Sequence, residues 1–143
     1  MKKILITALI VFASTAGYAQ KIDVDKDSGL ITVDGRSYAK LIKENAPGQL
    51  GINKNFTIAN LAGDELLYFV FTQEPERNRM GYETGKILTY YTLNFINSGG
   101  TGRRNGTMRA GGAAKLVGKN KLIVDGQIDP AAEKKFLLKY RNR

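Results

Sequence analysis

Arg103, Arg104 and Arg109 stand in Asn97–Gly112, a segment that also holds six glycines. Guanidinium groups form paired, charge-assisted hydrogen bonds to phosphate, sulfate or carboxylate. The segment runs into apolar residues at helical spacing, and backbone N–H groups at a helix start attract anions as well. No Gly-Lys-Ser/Thr closes it, so it is not a nucleotide-type phosphate loop. The competing reading is a solvated, glycine-rich hairpin loop with Asn105-Gly106 as its tight turn. A second candidate binding cluster is Arg77, Arg79 and Tyr82, two cations and an aromatic face in the charged stretch Glu74–Lys86. There the competing reading is a solvated loop.

Other chemistry is narrower. The chain has no His, Cys or Trp. That removes Ser-His-Asp and Cys-His catalysis, thiol chemistry, and zinc or haem sites built on those ligands. No cofactor motif is present. Catalysis would have to rest on carboxylates, Lys, Tyr or Ser; the acids suited to pairing are Asp64, Glu65, Glu74, Glu76 and Glu83. They fall in turns and a loop, where acids are usually just solvated. Asp23, Asp25 and Asp27 take alternate positions like the start of a calcium loop, with Asp34 at the twelfth. Ser28 stands where that loop needs Gly, Gly29 comes one place late, and Lys26 adds a repelling charge.

The elements that must position these groups are mostly strands. Ile22 and Val24 alternate with aspartates. Leu30–Val33 and Arg36–Ile42 flank Asp34-Gly35, a strong hairpin signal. Asn45–Asn53 reads as a loop, and Phe56 and Ile58 as an alternating strand. In Glu65–Gln73, Leu67, Phe69 and Phe71 share one face and Leu66, Tyr68 and Val70 the other. Two apolar faces predict a central strand covered on both sides. Ile87–Ile96 follows, with Ile87, Tyr91, Leu93 and Phe95 expected inward and Tyr90, Thr92 and Asn94 outward. Helical spacing appears at Ala113, Leu116 and Val117, and Lys121–Val124 fits either class. Asp129 as N-cap, Pro130 in the first turn and the stripe Ala132, Phe136, Tyr140 predict a final helix. Strands before helices give an α+β fold: about six strands in an antiparallel β-meander, then one or two C-terminal helices on the sheet.

Residues 1–19 have the form of a secretory signal peptide: Lys2-Lys3, the apolar run Ile4–Ala13, then Gly17-Tyr18-Ala19 before a cleavage point at Gln20. The apolar run is shorter than the roughly 20 residues a membrane span needs, and no later segment reaches that length. The expectation is a soluble single domain over 20–143 in the periplasm or outside the cell. Its charge, 20 basic against 13 acidic residues or +7, favours anionic partners. The alternative is that this charge serves only solubility. The signal ending Tyr18-Ala19-Gln20, the strand-rich middle and the closing Asp129–Tyr140 together resemble small uncharacterised exported proteins of Gram-negative bacteria of the Bacteroidetes type. That resemblance implies export and no assigned activity.

The expected function is a non-enzymatic binding or interaction module of the periplasm or cell envelope. Its partner would be a protein or an anionic envelope polymer, met by the Gly/Arg segment and the Arg77–Tyr82 stretch. The alternatives are an inhibitor of a secreted hydrolase, inserting one of those loops into a cleft, and a carboxylate-dependent hydrolase. Nucleic acid fits less well, because the basic residues are scattered and the chain reads as exported. An exposed edge strand offers a route to a dimer.

Overall fold

A computed structural model describes residues 19–141. Residues 1–18, which hold all but Ala19 of the expected signal peptide, lie outside them. Seven strands form one antiparallel sheet in chain order: β1 (Ile22–Val24), β2 (Leu30–Val33), β3 (Arg36–Asn45), β4 (Lys54–Ala59), β5 (Glu65–Arg77), β6 (Glu83–Phe95) and β7 (Thr101–Asn105). Helix α1 (Ala110–Lys119), a small hairpin of β8 (Ile123–Val124) and β9 (Gln127–Ile128), and helix α2 (Pro130–Lys139) complete an α+β fold. Asp34-Gly35 and Asp125-Gly126 close their two-residue hairpins with positive φ at both positions, the conformation such turns require. Asp129 caps α2 by accepting the Ala132 N–H at 3.1 Å. Among the described residues no helix is long and apolar enough to cross a membrane.

Both helices cover one face of the sheet. Cross-strand rows Leu41–Ile58–Leu67–Phe95 and Phe56–Phe69–Leu93 build the core there, with Ala113, Ala114 and Val117 of α1 and Phe136 of α2 packed over it. Phe136 meets Phe95 edge-on at 5.8 Å. Tyr91 is wholly enclosed, and its hydroxyl donates to the carbonyls of Lys54 (2.9 Å) and Met108 (3.3 Å).

The opposite face is open, which corrects the expectation that β5 is covered on both sides. Val70 is 37% exposed and Tyr68 half-buried. Leu66 reaches the core by a different route: a bulge, where Ile58 pairs with Leu67 and Ala59 with Glu65, shifts the alternation.

Two segments expected to be loops are strands. The stretch around Glu74–Lys86 continues β5 and β6 to the pair Arg77–Glu83, making an arm that projects past the neighbouring strands. Its tip is closed by Asn78, whose side-chain oxygen takes the N–H groups of Met80 (2.9 Å) and Tyr82 (3.0 Å). Ile87, expected inward, therefore lies exposed on the arm. The other segment is Thr101–Asn105, the seventh strand. It sits beneath α2, and its glycines are what make that possible. A Cβ on Gly102 would lie 3.0 Å from the Tyr140 carbonyl oxygen and 3.3 Å from Leu137 Cδ2, and one on Gly100 2.8 Å from Leu137 Cδ1.

Candidate functional site

The sheet ends at β7, and its outer edge is the floor of a cleft. Phe95 N–H donates to Gly100 C=O and Gly106 N–H to Thr89 C=O, so the even-numbered residues of β7 direct their backbone groups towards β6. Thr101, Arg103 and Asn105 direct theirs outward. Arg103 N–H is met there by the Tyr140 carbonyl at 2.7 Å, which seats the end of α2 against the strand. Ser98 Oγ donates to the buried Glu133 carboxylate and fixes α2 to the β6–β7 turn as well. Between the strand and the helix end lies a cleft of about 410 Å³, lined by Arg103, Arg104, Asn105, Leu138, Lys139, Tyr140 and Arg141.

Four of those seven residues are cationic and none is acidic. Arg103 pairs with Thr92 on the open face, and its guanidinium carbon lies 3.5 Å from the Tyr90 ring centroid. Its Nε donates to Asn105 Oδ1 at 3.2 Å. Arg104 pairs with Tyr91 on the core face, and its Nη1 donates to Thr107 C=O at 3.2 Å. Each guanidinium is thus held in place, with most of its donors unspent among the described residues. Lys139 and Arg141 lie at the C-terminal end of α2, where the helix dipole favours positive charge. The ion pairs found among the described residues, Lys21–Asp23 and Arg77–Glu83, both at 3.4 Å, lie elsewhere. Chemically the cleft can take a polyanion or a carboxylate-bearing chain through charge-assisted bonds.

The other sequence candidates fall apart from this cleft. Arg103 and Arg104 lie on a strand and not at a helix start, so the helix-start anion site they were to share with Arg109 is not assembled. Arg109 alone stands at the head of α1, with no side-chain capping bond. Arg77, Arg79 and Tyr82 are on the arm, where Arg77 spends its guanidinium on Glu83 (3.4 Å) and the Gly81 carbonyl (3.3 Å). Tyr82 is eight positions before Tyr90 on the same ribbon, or roughly 25 Å at about 3.3 Å per residue. The two expected contact stretches are therefore two separate surfaces.

The aspartates do not gather. Asp25 turns onto its own loop, accepting the N–H groups of Ser28 (2.7 Å) and Asp27 (3.0 Å) and the Ser28 hydroxyl (2.9 Å). The Ser28 bonds, reinforced by Asp27, hold its carboxyl below the usual aspartate range. Asp34 accepts the Lys21 N–H at 2.8 Å instead. No group of three or more acids able to hold a metal occurs among the described residues, Asp23 and Asp27 included. Nor do the five carboxylates form one cluster. Asp64 is bonded to Asn60 and Glu65 to Tyr68 at one end of β5, while Glu74, Glu76 and Glu83 bond to Tyr90, Thr84 and Arg77 on the arm. Glu65 and Glu74 are nine positions apart on one strand, or roughly 30 Å.

Comparison with protein-family models, with curated proteins and with solved structures found no match.

Proposed function

We propose that this protein is a non-enzymatic binding module of the periplasm or cell envelope, and that it takes an anionic ligand in the cleft between β7 and the end of α2. The observation that carries this reading is the lining of Arg103, Arg104, Lys139 and Arg141, with no facing carboxylate among the described residues. Like charges held around one cleft repel one another, and a bound anion relieves that repulsion. The signal-like N-terminus supports the envelope address and makes envelope polymers and envelope proteins the relevant partners. Binding of a polyanion such as polyphosphate or a sulfated glycan tests the reading by titration. Arg103→Ala with Arg104→Ala is expected to weaken it at least tenfold, since hydrogen bonds to charged groups contribute about 1.5–3 kcal/mol each. Unchanged affinity in that variant would remove the site assignment.

A second reading, inhibition of a secreted hydrolase, is favoured by the arm. Its tip carries Met80 and Tyr82 at 79% and 69% exposure, on a ribbon able to enter a cleft. An inhibition assay against secreted hydrolases checks it, with Tyr82→Ala expected to relieve whatever inhibition is seen.

A further inference from the structure

We propose that the ligand of the cationic cleft is an extended acidic peptide segment, which adds to the outer edge of β7 as an eighth strand. This rests on the reading that the cleft binds anions, and goes beyond it by naming the ligand's backbone as half of what is recognised.

The edge supplies the first observation. Thr101, Arg103 and Asn105 face outward, as the β6 ladder requires. The Arg103 N–H is already occupied, by a carbonyl delivered from outside the sheet at 2.7 Å. Beyond it, the Arg103 C=O and both backbone groups of Asn105 face the cleft without a partner among the described residues. A strand laid alongside would continue a ladder that the Tyr140 carbonyl has begun. Main-chain bonds of this kind give strand addition its affinity, and side chains alternating across the strand give it selectivity.

The side chains supply the second. Arg103 and Arg104 are adjacent, so they stand on opposite faces of the sheet, one over Tyr90 and the other on the side of Tyr91. A compact anion on one face meets only one of them. A peptide strand also sends successive side chains to opposite faces, so two consecutive acidic residues would meet Arg103 and Arg104 in turn. Lys139 and Arg141 form the facing wall and extend the positive field along the same line. The charge also selects among strands. A second copy's β7 would bring arginine against arginine, and like charges placed opposite each other disfavour that pairing. A bare unpaired edge invites any strand; a cationic one is guarded against its own kind and open to an acidic one.

The test uses the full chain with three probes: an eight-residue glutamate-rich peptide, the same peptide N-methylated at alternate residues, and inorganic polyphosphate. Affinities are read by titration, and backbone amide exchange is followed at Asn105. The peptide is expected to bind, to protect the Asn105 amide from exchange, and to lose about tenfold or more on N-methylation, the scale of one or two net hydrogen bonds. Asn105→Pro removes that N–H and also the Asn105 Oδ1 that holds Arg103 Nε, so it is expected to weaken both ligands, the peptide by about tenfold more than polyphosphate; if it does not fold, the exchange measurement on the unaltered chain decides. Equal binding of the methylated and plain peptides, or no protection at Asn105, would overturn strand addition while leaving an anion cleft. Polyphosphate binding without peptide binding would do the same. Failure of all three probes would overturn both readings.

Discussion

Arg103 derives its position from Tyr90 rather than from a salt bridge. A guanidinium 3.5 Å above an aromatic ring is held by the ring's quadrupole, a contact of about 0.5–1 kcal/mol at an exposed site. Replacing Tyr90 by Leu keeps the strand and removes the platform. The expected result is a two- to fivefold loss of polyanion affinity with unchanged far-ultraviolet circular dichroism, the fold-change following from that energy. Tyr91, one residue on, plays the opposite part. Its hydroxyl is enclosed and serves two backbone carbonyls, so Tyr91→Phe leaves them without a donor and should cost about 1–3 kcal/mol in urea denaturation. Burial raises the Tyr91 pKa, against the smaller pull of Arg104. The folded value lies above the unfolded one, so the associated stability is complete below about pH 10 and is lost as pH rises through the folded value. Tyr91→Phe should therefore flatten the alkaline limb of a stability-versus-pH curve.

At the scale of elements, β7 shows how a strand arises from poor strand formers. Gly102, Arg103, Arg104 and Asn105 carry little strand propensity, which is why the segment reads as a loop. Its strand character comes from outside: the ladder to β6 on one side and α2 pressed onto Gly100 and Gly102 on the other. Gly102→Ala puts a methyl group 3.0 Å from the Tyr140 carbonyl oxygen and should cost about 1–3 kcal/mol, with weaker polyanion binding as Lys139 and Arg141 shift. Gly111→Ala is the contrasting case. It lies in α1 with open space around it, and the gain in helix propensity should stabilise the protein by about 0.5–1 kcal/mol. Thermal unfolding of the two variants separates close approach from mere flexibility. The elements readable from the residues were those with local causes: the Asp34-Gly35 hairpin, the alternating strands β2 to β4, and the Asp129-Pro130 start of α2. The arm was hidden because its strand character depends on pairing across the Asn78 turn, while its side chains are charged and exposed. In the candidate site, Arg103 and Arg104 stood out by type. Lys139 and Arg141 did not, because more than thirty positions separate them from the arginines they join, and only the docking of α2 brings them near.

At the scale of the molecule, helices on one face leave the other open and set the cationic cleft at the sheet's end. Basic residues outnumber acidic ones by nine over the whole chain. Much of that charge is exposed and acts through the general field, which falls off over about 8 Å at physiological ionic strength. A cleft of fixed cations behaves differently from a diffuse field: it loses affinity with salt but remains specific to its own residues. The direct test is titration of a polyanion at low and physiological salt, comparing the unaltered protein with Arg103→Ala/Arg104→Ala and with a control that removes two exposed lysines away from the cleft, Lys40→Ala/Lys43→Ala. Both double variants lower the net charge equally. A cleft site gives at least a tenfold loss for the arginine pair and less than about twofold for the lysine pair at physiological salt. Equal losses in the two variants would mean that charge alone attracts the ligand, and would contradict a binding site at β7.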